Sequence, residues 1–259
     1  MDILETIIAD KKRELLLVKQ KVSTGELERD PMFSRPTISL RDGLAGSSRA
    51  AIIAEFKRKS PSRGMINEYA DPVKVSRGYV QAGANGLSVL TDTKYFAGCR
   101  EDLARAREAN ECPILRKDFM IDEYQVLEAR AWGADVILLI AAVLEKDEVR
   151  KLSAFAHNLG LEVLLEVHEE SELDALNEHI DIVGVNNRDL KRMLTDVSTS
   201  LAMSEKIPPD FLKISESGIS DPGTILKLQE YGYKGFLIGE YFMQQTDPAI
   251  ACRELIEGL

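Results

Sequence analysis

Residues 51–62 read AIIAEFKRKSPS, an apolar run that passes straight into Glu55, Lys57, Arg58 and Lys59 and stops at Ser60-Pro61-Ser62. Side chains alternate across a strand, so Ile53, Glu55 and Lys57 share one face, with an acid and an ammonium one pleat apart. Burying charge costs several kcal/mol unless the ions are paired or used. The segment therefore reads either as an ion pair that closes a strand or as the edge of a functional site.

Working outward from it, short β-branched runs alternate with helix-period segments, the pattern of βα units on a parallel sheet. Eight runs stand out: 51–56, 86–90, 113–116, 135–140, 162–165, 180–185, 211–214 and 235–238. Asp71-Pro72, Asp221-Pro222 and Asp247-Pro248 each offer an N-cap followed by proline at the first helical position, and Gly160 and Gly232 mark helix stops. VILLI at 136–140 and FLIG at 236–239 are apolar on both faces, as strands covered by helices outside and packed layers inside must be.

Eight such units imply closure, so the expected fold class is α/β, a (βα)8 TIM barrel with an N-terminal helical extension. The chain is read as one domain over 1–259, residues 1–50 forming the extension and 51–259 the barrel. An open doubly wound sheet is the rival, but it calls for a GxGxxG turn after the first strand where this chain has KRKSPSRG. The extension divides into a charged amphipathic helix, roughly 2–20, and an irregular part with Pro31 and Pro36. Three placements are open to it: under the barrel, between two copies, or over the mouth.

The bulk numbers exclude several classes. With 43 acidic and 33 basic residues the net charge is −10, against a general binder of nucleic-acid phosphates. Any anion site must be local. Cys99, Cys112 and Cys252 are scattered and odd in number, which fits a reducing cytoplasm. The start MDILE lacks the features of a secretory signal, and the longest apolar run, 136–144, is far short of a membrane span. His157, His168 and His179 lack metal-ligand spacing and read as surface or capping residues, so no metal is expected.

In such a barrel the working residues come from the C-terminal ends of the strands. These ends carry Glu55, Lys57 and Ser60; Lys117, Asp118 and Phe119; Glu166 and His168; Asn186, Asn187 and Arg188; Ser215, Glu216, Ser217 and Gly218; and Gly239 and Glu240. Strands two and four add little beyond Ser88, Thr91 and Asp92. Alternation puts Leu115 with Lys117, Leu164 with Glu166, and Asn186 with Arg188, so the charges can converge on one mouth. Lysines and glutamates around an anion suit acid/base chemistry; an internally paired polar plug is the alternative. The glycine turns after strands seven and eight, together with Lys57, favour a phosphate cradle. Phe96 and Phe119, with Leu90, Leu138 and Leu190, supply an apolar wall or simply core.

The pieces ILETIIADKKREL, IIAEFKRKSPSRG, LSVLTDTKYFAG, ILRKDFMID, LLEVH, VGVNNRDL, ISESGI and FLIGEYFM resemble the indole-3-glycerol-phosphate synthase family over nearly the whole length. The resemblance implies ring closure of 1-(2-carboxyphenylamino)-1-deoxyribulose 5-phosphate with loss of carbon dioxide and water, without cofactor or metal. It implies Lys117 as general acid toward the ribulose carbonyl and Glu166 as general base for dehydration. Glu55, Lys57, Asn186 and Ser217 fall on the remaining catalytic positions, Lys57 as an acid in the second half-reaction. Phosphate contacts fall to Lys57, Arg188, Gly218, Gly239 and Glu240, the last through its backbone N–H, since its side chain repels phosphate; some relatives carry serine there, whose hydroxyl contact this chain lacks. Ser60, Phe96, Phe119 and Leu190 match residues lining the anthranilate and ribulose ends. The implied partner is a small phosphorylated molecule, with no nucleic acid, membrane or obligate protein. Two rivals remain: a sugar-phosphate isomerase barrel, whose chemistry favours aspartate, cysteine or histidine pairs at the strand ends, and a non-catalytic metabolite-binding barrel, which would dispense with Lys117 or Glu166.

Overall fold

A computed structural model describes residues 3–189 and 194–259. Eight parallel strands close a barrel: β1 (Ala51–Phe56), β2 (Gly86–Leu90), β3 (Ile114–Lys117), β4 (Val136–Ile140), β5 (Glu162–Val167), β6 (Ile182–Asn186), β7 (Leu212–Glu216) and β8 (Gly235–Ile238). Each pairs with its neighbours in the chain, and β1 closes the ring on β8 with Ala51 opposite Gly235. Helices between the strands begin as their sequences dictate. Asp71, Asp221 and Asp247 accept hydrogen bonds from the backbone N–H of Lys74, Thr224 and Ala249, each cap contributing about 1 kcal/mol. At the helix stops, Gly160 and Gly232 take φ of 73° and 83°, a region open to glycine.

Strand parity sorts the core into two layers. Ile52, Ala54, Leu87, Val89, Ile137, Leu139, Val163 and Leu165 point outward into the layer shared with the helices. Ala51, Ile53, Leu115, Val136, Leu138, Leu164, Ile182, Ile214 and Leu237 point inward. The inner layer is capped from below by a short helix, Leu40–Ala45, whose Leu40 and Leu44 are buried in it. The barrel leaves room for them because Gly86 and Gly235 have no side chain: a Cβ on Gly86 would stand 2.6 Å from Leu40 Cδ1.

Three features differ from the sequence expectation. The runs at strands three, five, six and seven extend through Lys117, Val167, Asn186 and Glu216. The ladder ignores the change from apolar to charged side chains that ended the sequence runs, so the charges stand on the sheet itself. An antiparallel pair, Lys59–Ser60 with Gly64–Met65, turns back just after β1. The N-terminal extension serves two ends at once: its short helix plugs the bottom, and its long helix α1 (Ile3–Lys21) lies at the top. Asp2, expected to open that helix, lies outside the described residues.

Candidate active site

Two charged clusters sit inside the C-terminal end of the barrel. In the first, Lys117 at the end of β3 donates from Nζ to Glu166 Oε2 at 2.8 Å and to Glu216 Oε2 at 2.6 Å. Asn186 Nδ2 fixes the other oxygen of Glu166 at 3.0 Å. In the second, Lys57 Nζ meets Glu55 Oε1 at 2.8 Å, and Ser88 Oγ donates to Glu55 Oε2 at 3.1 Å. Two glycines make these positions possible. A Cβ on Gly239 would lie 2.6 Å from Glu55 Oε1, and one on Gly184 would collide with Glu216 Oε1.

The charges perturb one another strongly. Burial favours the neutral amine of Lys117, yet Glu166, Glu216 and Glu55 outweigh it and hold the ammonium well above the ordinary lysine range. For Glu166 burial favours the neutral form, but Lys117, His168 and the Asn186 hydrogen bond overcome it, and the carboxyl stays ionised. Glu216 goes the other way. Burial, reinforced by the negative charges of Glu166 and Glu55, raises it above the ordinary carboxyl range despite Lys117. Its Oε1 is buried without a hydrogen-bond partner. One lysine thus stands between an ionised carboxylate and one held near its point of protonation, which equips the cluster both to give and to take a proton.

A third group of residues forms a cavity of about 480 Å³ beside Lys57, lined by Ser217, Gly218, Gly239, Glu240, Arg63 and Arg188 among others. Ser217 and Gly218 take φ of 67° and 74°, turning the chain sharply at the end of β7. The Ser217 carbonyl accepts from Asn187 Nδ2 at 3.0 Å, so Asn187 faces away from the mouth and braces this turn. A larger cavity of about 1130 Å³ lies between α1 and the mouth, with Leu4, Ile8 and Ala9 on one side and Val143, His168, Asn186 and Arg188 on the other. Arg188 lines both cavities. Among the described residues, no three His, Cys, Asp or Glu are grouped to hold a metal ion.

Of the residues singled out from the sequence, Glu55, Lys57, Lys117, Glu166 and Asn186 meet in the two clusters. Ser217, Gly218, Gly239, Glu240 and Arg188 meet in the smaller cavity. Phe96 and Phe119 pair with ring centroids 6.1 Å apart, and Phe119 packs on the inner layer. Ser60 is 1% exposed and spends its hydroxyl on the turn, meeting Ser62 Oγ and accepting from Arg63 N, both at 3.2 Å. Leu190 lies outside the described residues. His168 departs from the expectation of a surface or capping residue: its side chain is 14% exposed, with ring nitrogens 3.5 Å from Glu166 Oε1 and 3.4 Å from Glu172 Oε2. Glu216 stands among the strand-end residues read from the sequence, but without a role or a partner there. Its parity with the inward Ile214 was the signal that it faces Lys117.

α1 is fastened to this end by a buried lysine. Lys11 Nζ meets Asp92 Oδ2 at 2.9 Å and Asp118 Oδ1 at 3.1 Å, and Asp118 in turn pairs with Arg116. Arg116 points outward, opposite to Lys117, and stacks 3.9 Å over the Trp132 ring.

The family model described as indole-3-glycerol phosphate synthase matches residues 4–255. The chain belongs to that family. An indole-3-glycerol phosphate synthase of Bacteroides thetaiotaomicron is 45% identical over 258 residues, covering 100% of this chain and 99% of the relative. Membership makes the chain a carboxy-lyase of tryptophan biosynthesis. Solved structures extend the likeness in fold alone. Tryptophan synthase subunit alpha of Legionella pneumophila superposes with a TM-score of 0.61 at 14% identity, over 85% of this chain and 94% of that one. A thiamine phosphate pyrophosphorylase of Pyrococcus furiosus gives 0.60 at 16%, over 85% and 96%. No described helix of this family member is long and apolar enough to cross a membrane.

Proposed function

We propose that the residues of the two charged clusters divide the synthase reaction, ring closure falling to Lys117 of the first and dehydration to its neighbour Glu166 together with Lys57 of the second. The observation that carries this division is the Lys117 ammonium held by Glu166 and Glu216 one pleat above the apolar inner layer. In the substrate, the anthranilate carbon bearing the carboxylate attacks the ribulose ketone while Lys117 gives the ketone oxygen its proton. The ring left behind is cationic and draws in the electron pair of the bond to the carboxylate, so carbon dioxide leaves and aromaticity returns. The new hydroxyl then departs as water, taking a proton from Lys57, while Glu166 removes one from the adjacent methylene. One carbon dioxide and one water account for the whole difference between substrate and product, so no oxidant, reductant or metal enters the balance.

Glu55 holds Lys57, Asn186 holds Glu166, and Ser217 shapes the turn beside the phosphate. The phosphate is assigned to Lys57 and Arg188 with the backbone N–H groups of Gly218, Gly239 and Glu240. The anthranilate ring is assigned to the wall containing Phe96, Phe119 and Leu190, with Ser60 at its edge. Residues 1–259 act as one domain, in the cytoplasm, on a small phosphorylated molecule, without nucleic acid, cofactor or obligate protein partner. The test is to add the carboxyphenylamino-deoxyribulose phosphate to the purified chain without metal or nucleotide and follow indole absorbance and fluorescence. Turnover is expected. Tight calorimetric binding without turnover would overturn the proposal in favour of a metabolite-binding barrel.

A further inference from the structure

The guanidinium assigned to the substrate phosphate is already committed to a carboxylate of the same chain. Every nitrogen of the Arg188 guanidinium is engaged: Nε donates to Thr195 Oγ1 at 3.2 Å, Nη1 to Ser62 Oγ at 3.1 Å and Nη2 to Glu240 Oε2 at 3.0 Å. Glu240 Oε1 accepts from Arg63 Nε at 2.9 Å. One carboxylate thus spans two arginines, one from the hairpin after β1 and one from the loop after β6, across the smaller cavity. Burial works against its charge, but Arg188, Arg63 and Lys57 prevail and hold the Glu240 carboxyl below the ordinary range, so it is ionised at neutral pH.

We infer that Glu240 sets the affinity of the phosphate subsite, its carboxylate competing with the phosphate group for Arg188 and Arg63. This rests on the phosphate assignment of the proposed function and adds a repulsive element to it. A phosphate dianion approaching Arg188 must share the guanidinium with Glu240 or push the carboxylate aside, and either course costs binding free energy. The same cost falls on inorganic phosphate and on the substrate, so their ratio of affinities is unchanged and only the absolute affinity of each falls. The substrate is also held through its ring and ribulose, so it still occupies the site, whereas inorganic phosphate has nothing else to hold it and leaves.

The opposite role is equally concrete: Glu240 would pre-orient the two arginines and so strengthen anion binding. The experiment separates them by sign. Inorganic phosphate is titrated calorimetrically into the full-length chain and its E240Q and E240S variants at one fixed ionic strength, with melting temperature recorded for each. A competing carboxylate requires both variants to bind phosphate about tenfold more tightly than the parent chain. Unchanged or weaker binding in a folded variant overturns the inference, as does phosphate binding too weak to detect in all three proteins. E240S covers the case in which E240Q fails to fold. Turnover of the carboxyphenylamino substrate, measured on the same samples, keeps the two readings apart. Turnover without tightening removes the competing role and leaves the synthase reading standing, while tightening without turnover does the reverse.

Discussion

The two ends of the barrel are built from the same strands by the same alternation and hold opposite contents. At the bottom the inward positions are apolar or glycine apart from Glu162, which accepts from the backbone N–H of Leu40 and Arg41, and Leu40 and Leu44 from the extension fill the space between them. At the top, two residues further along the same faces, Leu115 gives way to Lys117, Leu164 to Glu166 and Ile214 to Glu216. A step of one pleat, about 7 Å at the rise of a strand, separates a region that stores stability from one that spends it. The top end gathers three carboxylates, Glu55, Glu166 and Glu216, around two ammoniums, Lys57 and Lys117. One negative charge is in excess, and the upward shift of Glu216 is how the site accommodates it.

The largest way to break this contrast is to remove the cation at its centre. Lys117→Ala is expected to lower turnover by about 10⁴-fold, the upper range for loss of a positioned acid, and to leave Glu166 and Glu216 facing each other unpaired. Single-turnover traces should show ring closure blocked. Glu166→Gln should instead slow dehydration, so that a cyclised, decarboxylated intermediate builds up. Both variants stalling at one step would contradict the division of labour.

Next in size is the fastening of α1. Lys11→Met leaves Asp92 and Asp118 without their shared ammonium in a site where all three side chains are at most 3% exposed. Removing one partner of a buried ion pair costs about 3–5 kcal/mol, which denaturant unfolding would read directly. Because α1 also walls the larger cavity, KM should rise more than kcat falls. Equal loss in both would mean that Lys11 serves stability alone.

At the other end, Leu44→Ala should cost about 3 kcal/mol as a cavity in the inner layer while leaving kcat unchanged. A Leu44 variant that lost activity without losing stability would show that the two ends are not separable.

The barrel itself was open to reading from sequence, since apolar runs, Asp-Pro caps and glycine stops each have a local cause, whereas the plug of Leu40 and Leu44 under it was not. The charged end was legible where parity carried across the apolar boundary, as in Leu164 to Glu166. Ile214 to Glu216 has the same parity, and Glu216 stands at a strand end in the sequence, but nothing local names Lys117, 99 residues away, as its partner. Lys11 was hidden for a different reason. Within DKKREL it looks like one more solvated charge, and only Asp92 and Asp118, far along the chain, make it a buried ion. Arg63 likewise acquires meaning from Glu240, 177 residues away. Local pattern fixes which way a side chain points, and only closure of the barrel decides what it meets.

The smallest effect sharpens the contrast at its edge, where His168 borders the first cluster. Just past the end of β5, its ring faces Glu166 on that strand, Glu172 on the short helix that follows and Glu216 on β7. Burial lowers its affinity for a proton, but these carboxylates more than restore it, and the net shift is upward from the ordinary histidine value. The folded protein therefore holds this proton to higher pH than the unfolded chain does. The resulting stability is fully present below the unfolded value of about 6.5 and drains away as pH rises through the folded one. His168→Gln cannot take up that proton, so its melting temperature should fall less steeply than that of the parent chain from about pH 6 upward. Parallel slopes would mean that the histidine stays neutral beside Glu166, and that the ionised state of Glu166 depends on Lys117 and Asn186 without its help.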